Sequence, residues 1–191
     1  MNVEEGERNT KIAVTGTPGT GKTTVARILA DKLDFEYFDV TGAVREGASS
    51  GYDADRDVPV ADIDALREAA PEDSVLDGHI SHHLEPDAVV VLRCRPDVLR
   101  SRLEERGWSD AKIRENVESE ALDIVIAEAV ETEAPVFEFD TTDATPEGTA
   151  ERVLRALEDG EERVGVVNWS EYLEAGTTER EDADTETEVR N

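Results

Sequence analysis

The sequence predicts an α/β domain in which a five-stranded parallel sheet is flanked by helices. Three observations predict it. Short apolar runs alternate with helical patterns along the chain. The run Ala88–Arg93 is almost continuously apolar and rich in β-branched residues, as in a strand covered on both faces. A glycine-rich turn, Gly16 to Thr23, stands between the first apolar run and the first helical pattern.

The elements follow in order. Lys11–Thr15 is a first strand, and a helix runs from about Lys22 to Leu33. Phe35–Asp39 is a second strand; a loop and a short helical stretch, Asp62 to Ala70, come next. Ser74–Asp77 is a brief third strand and Ala88–Arg93 the fourth. Pro96 opens a helix to about Arg106, because proline suits the first helical turn. Asp110 caps a long helix that places Ile113, Val117, Ala121 and Ile124 on one face. Pro135–Phe139 is the fifth strand, and Pro146 starts a helix carrying Val153, Leu154 and Leu157. Beyond Gly160, residues Trp169, Tyr172 and Leu173 predict a last helix packed on the body. Residues 1–10 and 176–191 are acidic and nearly free of large apolar groups, so they read as solvated tails around a domain at 11–175.

The chain has 191 residues, 20 basic against 47 acidic, for a formal net charge of −27. That length suffices to bury a core of one domain. Only Lys11, Lys22, Lys32 and Lys112 are lysines; the other basic residues are arginines. Abundant carboxylate with little lysine is expected of a protein kept soluble in concentrated salt, where self-repulsion is screened. Such a surface argues against electrostatic capture of nucleic acid or of an anionic membrane, and no direct sequence-specific nucleic-acid partner is expected. The apolar run Ala88–Leu92 is far too short to span a bilayer, and Met1–Glu5 lacks the basic and apolar regions of a signal peptide. Cys94 stands alone, which excludes an intrachain disulfide and a thiolate zinc cluster. A cytoplasmic protein is expected.

The chemistry is concentrated in Gly16-Thr-Pro-Gly19-Thr-Gly21-Lys22-Thr23, which matches G-x-x-x-x-G-K-[ST] at every fixed position, between a strand and a helix. The glycines allow a tight path in which successive N–H groups point at phosphate oxygens. The helix start adds positive potential, Lys22 a charge for the β- and γ-phosphates, and Thr23 a hydroxyl for Mg²⁺. A nucleotide-binding loop is expected. A second acidic anchor for the Mg²⁺ shell belongs at the end of a neighbouring strand, where open α/β sheets build sites, and Asp77 occupies such an end. His79, two residues on, can orient water or relay a proton near neutrality, although His82 and His83 beside it are equally consistent with a histidine-rich loop of no chemical role.

Thr15–Thr24, Arg45-Glu46, Gly51-Tyr52-Asp53, Asp77-Gly78-His79 and Leu103–Gly107 occur in that order. Together they resemble the archaeal and nuclear-type adenylate kinases, the family of the sixth adenylate kinase isoenzyme, over about residues 11 to 160. The resemblance implies a P-loop nucleoside monophosphate kinase fold with a small monophosphate-binding insertion, about 39–61, and a short lid, about 105–115. It implies transfer of the ATP γ-phosphoryl group to AMP, a separate ATPase activity, and a part in maturing the small ribosomal subunit through a ribosomal protein and pre-ribosomal particles. Carried onto this chain, Gly19, Gly21, Lys22, Thr23 and Thr24 bind ATP, Thr23 and Asp77 hold Mg²⁺, and Arg45 faces the AMP phosphate. Lys22, Asp77, His79 and Arg106 are the catalytic group, with Arg106 reaching the transferring phosphoryl from the lid. Two stretches depart from the family pattern. Ile80-Ser-His-His83 replaces an aromatic-rich segment, and Thr141–Pro146 offers Thr145 where a basic adenine contact is expected.

Three functions remain open on these residues: a Mg²⁺-dependent adenylate kinase, an ATP-gated ribosome-assembly factor, and a kinase for another small acceptor. The loop motif alone does not identify the acceptor.

Overall fold

A computed structural model describes residues 9–53 and 58–172. Residues 1–8 and 173–191, which include most of both acidic segments and Leu173, lie outside the described residues. In chain order the elements are β1 (Lys11–Thr15), α1 (Lys22–Leu33), β2 (Glu36–Asp39), α2 (Val40–Glu46), β3 (Ser49–Asp53), β4 (Val58–Ala61), α3 (Ile63–Ala69), β5 (Ser74–Asp77), a 3₁₀ turn (Ser81–His83), β6 (Ala88–Arg93), α4 (Pro96–Glu105), α5 (Asp110–Ala121), α6 (Ile124–Ala129), β7 (Val136–Asp140) and α7 (Pro146–Asp159).

Five strands form one sheet in the order β2-β5-β1-β6-β7, and every pairing is parallel. β1 lies at the centre, so both of its faces need cover. Ile12 and Val14 join Val90 and Leu92 against Val25 and Leu29 of α1 and Val153 of α7. Ala13, Val89 and Val91 face the other way, against Ile126 and Ala129 of α6. This period-two division explains why β6 is apolar almost throughout: both of its faces are core. The chain leaves β1 toward the β2 edge and later leaves β5 toward the β7 edge. That reversal opens a crevice at the carboxyl ends of the central strands.

The expected long helix from Asp110 is instead two. Ser109 is its N-cap residue, and the helix stops at Ala121. Asp123 adopts φ 58°, a left-handed conformation that turns the chain before α6 begins. The turn brings Ile126 and Ala129 onto the sheet and leaves Ile124, which the single-helix reading put on one face with Ile113, Val117 and Ala121, 42% exposed. The region read as loop between Asp39 and Asp62 contains α2 and an antiparallel hairpin of β3 and β4. Beyond α7 the chain returns to the sheet edge. The Glu138 N–H donates to the Arg163 carbonyl at 2.7 Å, and the Arg163 N–H to the Val136 carbonyl at 3.0 Å. As expected, Trp169 and Tyr172 pack on the body: Tyr172 lies against the cluster of Leu99, Leu103 and Val117, and a helical turn forms at 170–172. Among the described residues no helix is long and apolar enough to cross a membrane.

Candidate active site

The glycine-rich loop joins β1 to α1 at the centre of the crevice. Gly16 has φ 135°, and a β-carbon there would sit 2.3 Å from the Leu92 carbonyl oxygen. Gly19 has φ 101°, and a β-carbon would lie 2.6 Å from Leu99 Cδ1. Neither position accepts a side chain, so the loop stays close to the end of β6 and to the side of α4. Gly21 caps α1 without any side-chain hydrogen bond. The first N–H groups of the helix are therefore left for an anion.

Lys22 Nζ crosses the loop and donates to the Thr17 carbonyl at 3.1 Å. Burial lowers its pKa to about 8; the Asp77 carboxylate opposes that shift, Arg106 reinforces it, and Glu120 opposes it. Lys22, Asp77 and Arg106 thus share one electrostatic neighbourhood. Thr23 and Thr24 are exposed on the first turn of α1. Asp77 ends β5, in register with Val14 of β1 and Asp39 of β2, and is buried. Its Oδ2 accepts from the Tyr37 hydroxyl at 2.7 Å. Burial and that hydrogen bond to the Asp77 carboxylate raise the Tyr37 pKa, which keeps the phenol a donor. The Thr23 hydroxyl and the Asp77 carboxylate are hard oxygen donors, a set that suits Mg²⁺.

His79 follows at the crevice surface, and local desolvation and the charge of Lys22 lower its pKa. His82, by contrast, is buried beneath it, and burial, with His83 and His79 nearby, lowers its pKa to about 4. Arg106 caps the C-terminus of α4 and lines a cavity of about 190 Å³ with Gly19, Gly21, Arg102 and Pro146. Thr149 lines the same cavity, and its buried hydroxyl has no hydrogen-bond partner among the described residues. Thr145 is occupied as the N-cap of α7, accepting from the Gly148 N–H at 3.1 Å. Arg45 stands apart from this group: it is exposed on the last turn of α2, and among the described residues no hydrogen bond or ion pair joins it to the loop.

Three contributors escaped the sequence reading. Arg102 donates to the Thr141 and Thr142 carbonyls, each at 3.0 Å, and to the Gly19 carbonyl at 3.4 Å, tying the loop to the β7–α7 connection. Glu120 of α5 accepts from the Thr17 hydroxyl at 2.6 Å and so fixes the loop from behind. Arg93, 2% exposed, donates to Glu120 at 2.7 Å, to Glu138 at 2.8 Å and to Asp123. The one available signal was a charged residue inside the apolar run of β6, matched by Glu138 between Phe137 and Phe139.

Fold and loop together define a P-loop protein of the kinase architecture. Solved structures with this fold include shikimate kinase from Acinetobacter baumannii (TM-score 0.58, 16% identity, covering 82% of this chain and 97% of that one). Deoxyadenosine kinase from M. mycoides shares it as well (TM-score 0.52, 17% identity, 78% and 100%). A family model described as "AAA domain" matches residues 12–123, from β1 through α5 and the turn after it. Archaeal relatives carrying the name "Putative adenylate kinase" align over nearly their whole length. The Natronomonas pharaonis protein is 45% identical over 170 residues, covering 85% of this chain and 99% of its own. The Thermococcus kodakarensis protein is 44% identical over 170 residues (85% and 94%) and the Methanocaldococcus jannaschii protein 39% over 168 (84% and 93%). The chain belongs to this archaeal family.

Proposed function

We propose that the protein is a Mg²⁺-dependent adenylate kinase that transfers the ATP γ-phosphoryl group to AMP, giving two ADP. The observation that carries this reading is the convergence of Lys22, Asp77 and Arg106 on the glycine loop, beside a cavity suited to the base and ribose of ATP. The name of the archaeal relatives supports the choice of acceptor. Gly19, Gly21, Lys22, Thr23 and Thr24 are assigned to ATP, and Thr23 and Asp77 to the metal. Mg²⁺ held there would offset charge on the β- and γ-phosphate oxygens. Lys22 and the N–H groups of the loop hold the same phosphates, and Arg106 approaches as charge moves between donor and acceptor. An AMP phosphate oxygen attacks the γ-phosphorus while the bond to the ADP oxygen breaks, so the protein's task is positioning and exclusion of water. The segment 39–61 is assigned to AMP, with Arg45 on its phosphate, and the segment 105–115 to the lid, within a domain at 11–175. His79 is assigned to water, which accounts for an accompanying ATPase activity.

A second reading, an ATP-gated factor in small-subunit maturation, is favoured by the net charge of −27, which complements a basic ribosomal protein. The same charge supports a salt-rich cytoplasm as the setting. One assay separates the readings. AMP added to protein, ATP and Mg²⁺ is expected to accelerate ADP formation above the rate with ATP alone, and more than CMP, UMP or GMP do. Arg45→Ala should raise the AMP requirement more than the ATP requirement, whereas Arg106→Ala should mainly lower turnover. No acceleration by any monophosphate would remove the kinase reading in favour of the assembly factor.

A further inference from the structure

Behind the phosphate loop, on the α6 face of the sheet, the fold gathers three side chains for which the proposed kinase chemistry has no use. His82 and His83 come from the 3₁₀ turn and Glu128 from α6. One ring nitrogen from each histidine and one Glu128 oxygen all lie within 4.8 Å of one another. The two imidazole centroids are 4.0 Å apart, and His82 Nε2 is 3.6 Å from Glu128 Oε2.

The hydrogen bonds fix which His82 nitrogen carries the proton. The Thr15 hydroxyl lies 3.0 Å from the His79 carbonyl oxygen, which can only accept, so the hydroxyl donates there. With its proton so committed, Thr15 Oγ1, 3.1 Å from His82 Nδ1, accepts from Nδ1–H. His82 Nε2 is left with a bare lone pair. It is fully buried and has no hydrogen-bond partner among the described residues. A lone pair and a carboxylate thus face each other, an arrangement that costs energy until a cation stands between them. A direct charge-assisted hydrogen bond would close to about 2.7–2.9 Å. The observed 3.6 Å is nearer the edge of roughly 3.3 Å between two ligands that hold a tetrahedral ion at about 2.0–2.1 Å.

We propose that His82, His83 and Glu128 bind a divalent transition-metal ion of the zinc class, separate from the nucleotide's Mg²⁺. Two imidazoles and a carboxylate suit zinc or cobalt rather than magnesium or calcium. His83 and Glu128 are exposed, so the ion has an entry path and a fourth position open to water. Thr15 and the His79 carbonyl supply the outer hydrogen bonds that orient His82. The ion would pin the 3₁₀ turn to α6 and brace, through Thr15 and His79, both the start of the phosphate loop and the loop after Asp77.

The test uses the full untagged chain, stripped of metal and held in excess Mg²⁺ so that surface carboxylates are saturated. Co²⁺ is titrated and followed by its visible ligand-field bands, and Zn²⁺ is measured by equilibrium dialysis with elemental analysis. The expected result is one equivalent bound, with intense bands of low-coordinate cobalt that Zn²⁺ displaces. His83→Ala and Glu128→Gln alter exposed side chains; each should weaken Co²⁺ binding at least about tenfold, a loss seen even for outer-shell partners. With no Co²⁺ or Zn²⁺ present, circular dichroism and ATP affinity of both variants should stay as in the metal-stripped parent, and Glu131→Gln should bind Co²⁺ as the parent does. Absence of stoichiometric binding, or equal binding in both variants and the parent, would overturn the proposal.

Discussion

Lys22 is held where the loop needs a cation and where the fold makes that cation costly. Burial draws its pKa down from 10.5 to about 8, and the Asp77 carboxylate prevents a larger fall. The amine is therefore charged at neutral pH and loses its proton as pH rises through about 8. The folded form gives up the proton before the unfolded form does. Between about 8 and 10.5 the unfolded chain binds more protons, so this group's contribution to stability rises with pH there. Phosphate oxygens reverse the balance by favouring the ammonium. ATP affinity is thus expected to fall above about pH 8, with proton uptake on binding visible by calorimetry in buffers of different ionisation enthalpy. Lys22→Ala should abolish the uptake and weaken ATP by about 1.5–3 kcal/mol, roughly ten- to a hundredfold, the worth of hydrogen bonds to a charged group. Uptake that persists in the variant would assign it to another residue. Asp77→Asn and His79→Ala address the other side of the site. On the proposed assignment of Asp77 to the metal, the first should depress transfer to AMP and any ATP hydrolysis together, because both acceptors would draw on the same metal shell. The second should cost hydrolysis more than transfer to AMP; equal losses would make His79 a structural residue.

At the level of elements, the Arg93 cluster joins β6, α5, β7 and the C-terminal segment at one point. Glu120 and Glu138, both nearly inaccessible, flank the guanidinium, and Glu138 also accepts from the Val166 N–H at 2.9 Å. Removing the cation strands two buried carboxylates. Arg93→Met is therefore expected to lower stability by about 3–5 kcal/mol in urea unfolding. Glu120→Gln keeps Arg93 paired with Glu138 and Asp123, so it should cost less stability while loosening Thr17 and weakening ATP. Parent-like unfolding of Arg93→Met would mean that the cluster sets geometry without adding stability. The same elements show what the sequence disclosed. The five sheet strands were legible because each centres on a short apolar cluster, and the glycine-rich loop because its motif residues are consecutive. The division of α5 from α6 was not, since the sign of φ at Asp123 leaves no trace in hydrophobic period. Nor were α2, β3 and β4, whose Gly, Ser, Pro and Asp residues read as loop. Glu120 stayed hidden as a loop-positioning residue because it meets Thr17 across 103 positions. Arg93 stayed hidden because a charged strand residue ordinarily reads as facing solvent.

The whole molecule carries 47 acidic against 20 basic residues, and part of the basic complement is spent internally. Arg93 is sealed among carboxylates, Arg102 is committed to backbone carbonyls, and Lys22 lies in the loop. Surface pairs such as Arg67 with Asp64 and Arg95 with Asp97 offset little of the excess, and the rest is left to ions in solution. At 0.1 M salt the screening length is about 10 Å, so carboxylates on neighbouring elements repel one another; at 1 M it is about 3 Å and that repulsion largely vanishes. The compact state holds this charge closer together than the unfolded chain does, so dilution of salt should destabilise it. The melting temperature is expected to climb with KCl from 0.1 M toward 1 M and beyond, following ionic strength by about 3–4 °C for each kcal/mol recovered. Because salts such as sulfate also strengthen apolar burial, the comparison needs KCl against sucrose, which is excluded from protein surfaces without screening charge. A rise in KCl that sucrose does not reproduce is the electrostatic signature. A melting temperature that is flat in KCl, or that falls, would show that this surface is stable without screening and would remove the salt-rich cytoplasm as its setting.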